Sequence, residues 1–198
     1  MRTSVPPLLP LLRSRVQGDV LALLYLHPDR SFSLTEIAAA VGSSPKVIHA
    51  EANRLVGSGF ARDHRRGPVR LVEAPPPSPV IDALTQLLLL SYGPRVVLKE
   101  LLENLPGLEE AFIYGSWAAR YEGVSGPIPG DVDVAVIGNL DPDLLDDIAI
   151  EAQRTLRRSV DIRRIPAQLW SESTSTNPFV LSLREHPRVP LIEAGDPP

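Results

Sequence analysis

Asp131-Val132-Asp133 sets two carboxylates two residues apart within an apolar run, and Gly115-Ser116 precedes them across a stretch rich in glycine and proline. In an extended chain, residues i and i+2 face the same way, about 6–7 Å apart. Carboxylates so spaced converge on divalent cations, and oxygen donors suit Mg²⁺, whose shell phosphate oxygens then complete. Glycine lets a backbone approach closely, and a turn that opens a helix offers free N–H groups to phosphate. A third acid, Asp161, stands in Ser159-Val160-Asp161-Ile162-Arg163, again among strand formers. Each residue alone has a plain reading. Asp131 suits a turn after Pro129-Gly130, Asp133 a half-exposed strand, Ser116 a helix cap and Asp161 a solvated surface. Together they point to nucleotide chemistry.

The elements that must hold these residues follow from patterning. Ala111–Tyr114 and Val132–Ile137 predict strands, with Val132, Val134 and Val136 on one face and Asp131, Asp133 and Ala135 on the other. Helices are expected at Ile81–Tyr92, Arg95–Leu105, Pro142–Leu156 and Pro178–Glu185, with a short one running from Gly115-Ser116 through Arg120. Val160–Ile165 forms a third strand and Val189–Ile192 is extended. Upstream, Ser14–Leu26 predicts a helix, and Ser33-Leu34-Thr35-Glu36 is a capping box for a second reaching Val41. Ser44-Pro45 opens a third helix ending near Gly57. Phe60–Arg62 and Val69–Val72 are short strands around a basic turn, His64–Pro68. A helix, a helix–turn–helix and a hairpin, in that order, make a winged helix–turn–helix domain.

Prolines in Ala74-Pro75-Pro76-Pro77-Ser78-Pro79 can neither continue a helix nor donate to a sheet, so the stretch is a stiff spacer. The expected organisation is a domain over 1–73, a linker over 74–80 and a second domain over 81–198. Charge divides the same way: residues 1–73 carry 10 Lys+Arg against 6 Asp+Glu, and residues 74–198 carry 10 against 18. A basic half meets polyanions directly, whereas an acidic half needs cations to hold phosphate. No cysteine is present, which excludes disulfides and thiolate metal sites. Val5–Leu12 is short and broken by proline, and Leu87–Leu90 is too short to span a bilayer. A cytoplasmic protein without membrane contact is the expectation.

Phe112-Ile113-Tyr114-Gly115-Ser116-Trp117-Ala118-Ala119-Arg120, then Gly130-Asp131-Val132-Asp133-Val134, then Val160-Asp161-Ile162, resemble the DNA polymerase beta-like nucleotidyltransferases, above all the minimal ones. Asn177-Pro178-Phe179 and Arg188–Ile192 look like the tail of bacterial proteins that join an ArsR-like winged helix to such a domain. The resemblance covers nearly the whole chain. It implies an α/β (α+β) fold, with an amino-terminal winged helix–turn–helix and a carboxy-terminal nucleotidyltransferase domain built on a small mixed sheet. It further implies that Asp131, Asp133 and Asp161 hold two Mg²⁺ ions, with Mn²⁺ as an alternative. Gly115 and Ser116 would hold the β- and γ-phosphates of an NTP, ATP foremost, with Arg120 as an added phosphate contact. The reaction implied moves a nucleoside monophosphate to a hydroxyl of a protein or RNA acceptor. Relatives include antitoxins that nucleotidylate a partner toxin. Fourteen residues separate Ser116 from Asp131, more than in the minimal enzymes, and Tyr121–Gly130 is the excess loop.

In the basic domain, Lys46, His49, Asn53 and Arg54 fall on or near one face of the third helix, and Arg62, His64, Arg65, Arg66 and Arg70 form the wing. Lys and Arg so placed reach phosphates or base edges, and such readers commonly pair as dimers on DNA. Two other readings share the same residues. One is a transcription regulator whose second domain is an inactive nucleotide sensor. The other is a winged helix that binds protein, fused to an active enzyme.

Overall fold

The computed structural model describes residues 11–124, 126–172 and 176–193, so most of Val5–Leu12 lies outside the described residues. The chain divides into two compact units, Met1–Gly93 and Pro94–Pro198.

The first unit runs α1 (Arg15–Tyr25), β1 (Phe32–Ser33), α2 (Leu34–Val41), α3 (Pro45–Gly57), β2 (Arg62–Arg66), β3 (Val69–Glu73) and α4 (Pro79–Tyr92). Local sequence starts its helices. Ser14 Oγ accepts from the Gln17 N–H, Ser33 and Glu36 bond reciprocally, and Ser44 accepts from the Val47 N–H beside Pro45. These caps satisfy donors that no earlier carbonyl reaches. Two features differ from the sequence reading. The hairpin turn is only Gly67-Pro68, because Arg62–Arg66 is paired strand and Arg66 lies opposite Val69. Phe32-Ser33 adds to the outer side of β3, giving the order β1-β3-β2; two residues are too few to carry a period.

α4 belongs to this unit, so the boundary falls at Gly93-Pro94 and not within 74–80. The helix packs on α1, where Gly18 leaves room for Tyr92: a Cβ there would lie 1.9 Å from the Tyr92 hydroxyl and 2.8 Å from Leu12 Cδ1. Prolines at 75–77 shape the local backbone, but the buried Leu88, Leu89 and Tyr92 decide which core the helix joins. Among the described residues one stretch, Pro79–Leu102, is long and apolar enough to cross a membrane by length and composition, with mean hydropathy 1.2. It is broken by a bend at Gly93, and its Leu88, Leu89, Val97, Leu98 and Leu102 are buried within protein.

The second unit runs α5 (Pro94–Leu102), β4 (Leu108–Tyr114), α6 (Gly115–Tyr121), β5 (Asp131–Gly138), α7 (Pro142–Leu156), β6 (Ser159–Ile165), α8 (Ala167–Ser171), α9 (Pro178–Glu185) and β7 (Val189–Ile192). Its strands lie in the order β6-β5-β4-β7, a mixed sheet in which only β5 and β6 are parallel. A parallel pair needs a long crossover, and α7 supplies it. β5 is buried on both faces beyond its first residues, Val132, Val134 and Val136 on one and Ala135 and Ile137 on the other. α8 and α9 cover the second face, packing Val180 and Leu183 on Phe112, Ala135, Ile137 and Ile165.

Filling the α1–α4 contact should be costly. Gly18→Val is expected to lower unfolding free energy in urea by about 1–3 kcal/mol through overpacking. Gly57→Ala, in α3 with nothing within 4 Å of the new methyl, should raise it by about 0.4–1 kcal/mol.

Candidate functional site

On the α8–α9 face, strand register sorts the second sheet into rows. Tyr114 lies opposite Asp133, and Asp133 opposite Asp161. The next row sets Phe112, Ala135 and Arg163 side by side, and the one after that Glu110, Ile137 and Ile165. Asp131 begins the face, two residues before Asp133 and opposite Ser159. One face of one sheet thus changes from carboxylate to apolar within three rows. Its apolar part lies beneath α8 and α9, and its acidic end lies beyond the apolar cluster of Phe112, Ala135 and Ile165 that they cover.

Gly115 closes the opposite flank of the acids. The residue takes φ 68°, a left-handed conformation that penalises any side chain, and a Cβ would lie 2.9 Å from Asp133 Oδ2. The sharp turn from β4 into α6 therefore sets backbone directly against a carboxylate. No side chain caps α6, so Gly115, Ser116 and their neighbours open the helix with N–H groups that lack a side-chain partner.

Burial raises the carboxyl of Asp133 above the usual carboxylate range, and the charges of Asp131 and Asp161 push it further, against a smaller opposing effect of Arg163. The Tyr114 phenol is pushed up to about 12, first by burial and then by Asp133. Arg163 answers this charge: its Nε donates to Asp161 Oδ2 at 3.1 Å, and its guanidinium lies 5.4 Å from the Phe179 ring centroid. Sequence reasoning passed over Arg163 and Tyr114. The available signal for Arg163 was its i+2 spacing from Asp161 on the same strand.

The expected three-acid set is brought onto one face in register, yet among the described residues no group of three His, Asp or Glu side chains is gathered closely enough to hold a cation. Like charges repel, and a guanidinium holds the third acid. The donors themselves suit a hard cation, since they are carboxylates whose mutual repulsion a divalent ion relieves.

Arg120 is buried, 9 % exposed, and donates to the carbonyls of Val124 and, at 2.8 Å, Pro127. Its guanidinium is committed to the loop that leads to Asp131. Arg158 does the same at the next step, donating to the Pro129 carbonyl. The Gly/Pro-rich excess loop is therefore fastened at three carbonyls just before β5 begins.

In the first unit, α3 exposes Lys46, His49 and Asn53, with Val47 and Ala50 between them. Arg54 instead pairs with Glu51, which is 4 % exposed and also accepts from Arg13 at 3.0 Å. Glu51 thus turns inward and does not interrupt the exposed surface. On the hairpin, Arg62 pairs with Glu73, and Arg70 bridges Asp63 and Asn53, each at 2.6 Å. Among the described residues, Lys46, Arg65 and Arg66 are basic side chains of this surface for which no ion pair is found.

No family model and no curated protein matches the chain. Two similar solved structures are a toxin–antitoxin with AMP-PNP, at 23% identity, and a mutant of the toxin–antitoxin MntA-HpeT, at 20%. Each match covers 51% of this chain and 74% of that chain, with a TM-score of 0.35.

Asp133 ties site to stability. Its folded-state pKa is raised, so the protonated form favours the fold below the unfolded value near 3.8, and that benefit is lost as pH rises through the folded value. Asp133→Asn should therefore raise the thermal midpoint by a few degrees at pH 7, and the gain should vanish toward pH 4. Thermal denaturation across that pH range checks it.

Proposed function

We propose that the second unit is a metal-dependent nucleotidyltransferase of the DNA polymerase beta-like kind and that the first is a winged helix–turn–helix that docks on DNA. The observation that carries the enzymatic reading is the register of Asp133 opposite Asp161 on adjacent strands, with Asp131 beside them and the Gly115 turn against Asp133. Carboxylates gathered on one face, with Asp133 half-buried among them, repel one another at a cost to the fold, and a structural role gives no reason to collect them.

Asp131, Asp133 and Asp161 would hold Mg²⁺, two ions or Mn²⁺ in their place, which when bound polarises the α-phosphate and neutralises the charge of a leaving pyrophosphate. The chain's own residues do the rest. The N–H groups opening α6 at Gly115 and Ser116 donate to the β- and γ-phosphate oxygens of an NTP, ATP being the first to test. Asp161, on the edge strand, accepts the proton of the incoming hydroxyl. The oxygen of that hydroxyl bonds to the α-phosphorus as the bond to the β-phosphate oxygen breaks, and pyrophosphate departs. Catalysis by such a site is chiefly positioning and charge stabilisation. Arg120 acts on the loop that delivers Asp131, not on phosphate.

A second reading has its own observation. Arg163 neutralises Asp161 in this structure, which suits a nucleotide sensor without turnover joined to a DNA-binding regulator. An α-labelled NTP assay with Mg²⁺, with and without cell extract, separates the two. Transfer that falls about a hundred- to thousandfold in Asp131→Asn and Asp133→Asn supports the enzyme. NTP binding without label on protein, RNA or small molecule supports the sensor.

The order helix, strand, helix, helix, hairpin and the exposed face of α3 support DNA docking, in a cytoplasmic protein that pairs on half-sites. Lys46, Arg65 and Arg66 are its phosphate cations and His49 and Asn53 its candidate base readers, while Arg54 serves Glu51. Arg65→Ala with Arg66→Ala should weaken retention of genomic DNA fragments and reduce the salt slope by about 1–2. Arg54→Ala should lower the thermal midpoint instead, because it deprives the buried Glu51 of a cation. A double variant that binds as the wild type does, with the same salt slope, would sink the DNA assignment.

A further inference from the structure

We propose that Arg70 clamps the Asn53 amide so that α3 offers only hydrogen-bond donors from Asn53 and His49, a pair that selects guanine over adenine in the major groove of duplex DNA. The inference rests on the DNA-docking reading of the first unit and names the base that reading leaves open.

Three polar contacts tie the hairpin to α3. Asp63 of β2 accepts from Arg70 Nε of β3 at 2.6 Å, and Arg70 Nη1 donates to Asn53 Oδ1 of α3 at 2.6 Å. Asn53 Nδ2 in turn donates to His49 Nδ1 at 3.4 Å, one helical turn back. Arginine carries donors only, so the atom of Asn53 that faces it must be the oxygen. The same logic fixes the ring of His49. An amide N–H needs an acceptor, so Nδ1 is bare and Nε2 carries the proton. The Arg70 side chain is 20 % exposed and its charge is answered by Asp63, whereas Asn53 and His49 are exposed. The clamp is sheltered and the readers are not.

An unclamped asparagine suits adenine, because its oxygen accepts from N6 while its nitrogen donates to N7. Here the oxygen is engaged by Arg70, and what Asn53 still offers is its second amide N–H. His49 offers Nε2–H beside it. Both donate. In the major groove guanine shows two acceptors, N7 and O6, whereas adenine and cytosine each place an amino group there. A donor set against an amino group leaves both without a partner where water has been displaced, which is the costly arrangement.

The carboxylates of α3 and the hairpin do not restore an acceptor to this surface. Asp63 is bonded to Arg70 and Glu73 to Arg62, and Glu51 is buried against Arg13 and Arg54. Arg70 is therefore a positioning residue: it meets no base and sets which atoms of Asn53 do.

The test selects bound duplexes from a randomised DNA library with the full chain, at one fixed salt concentration, and sequences them. The position that Asn53 reads is the one whose preference Asn53→Ala erases. In the wild type that position should favour guanine over adenine about tenfold. Arg70→Met keeps an apolar stem but frees the amide oxygen, and should bring adenine level with guanine or above it. Asn53→Asp keeps an oxygen for Arg70 and turns an acceptor outward, so guanine should give way to cytosine or adenine. Thermal midpoints confirm that each variant is folded; a merely structural loss would weaken all duplexes alike and leave the preference unmoved. Adenine favoured by the wild type, no position altered by Asn53→Ala, or a guanine preference that survives Arg70→Met overturns the clamp and leaves DNA docking standing. No retained duplex, or retention that Arg65→Ala with Arg66→Ala does not reduce, sinks the docking reading and the inference with it.

Discussion

Like charge gathered at one end of a sheet face is the constraint to which the rest of the second unit answers. Parallel pairing of β5 with β6 sets Asp133 opposite Asp161, and the pleat brings Asp131 to the same face. Water screens this repulsion poorly where Asp133 is partly buried, and its raised pKa records the cost. Arg163, on β6 beside Asp161, supplies a cation that offsets part of that cost, and Gly115 leaves room for Asp133 where a side chain would not fit.

The apolar rows behind the acids hold this strained end in place. Ala135 and Ile137 lie under α8 and α9, while Val132, Val134 and Val136 fill the other side, so β5 has no freedom to rotate its acids away. Ahead of the acids, Arg120 and Arg158 fasten the Val124, Pro127 and Pro129 carbonyls, which fixes where β5 begins. A loop too long for a tight connection is thereby made to deliver Asp131. The unit spends stability at the acids and recovers it in packing, as functional sites commonly require.

The first unit shows a different economy of charge. Its basic composition suggests a broad cationic surface, but Arg54, Arg62 and Arg70 are spent on Glu51, Glu73 and Asp63. Among the described residues of the α3 and hairpin surface, a narrower set remains outward: Lys46 near the start of α3, and Arg65 and Arg66 at the end of β2 beside the hairpin turn. Polyanion contact depends on cations that no carboxylate has already taken, so composition overstates the surface and structure trims it.

Much of this was legible in the residues themselves. Capping by Ser14, Ser33 with Glu36, and Ser44 with Pro45 depends on neighbours within four positions, as do the Pro142–Leu156 and Pro178–Glu185 helices and the alternation of valines along β5. The residues of the proposed site, Gly115, Ser116, Asp131, Asp133 and Asp161, stand out in the sequence for the same reason, as types at strand and turn spacings. Tertiary structure alone decided whatever hinged on partners distant in sequence. It paired Asp133 with Asp161, drew Arg163 onto the third acid, turned Glu51 inward to Arg13, and buried Arg120 in its loop. It also moved α4 across the proline stretch into the first core, because burying Leu88, Leu89 and Tyr92 outweighs any local signal for a boundary. Caps and periods are local and survive in sequence; register, burial and the choice of ion partner arise only when distant segments meet.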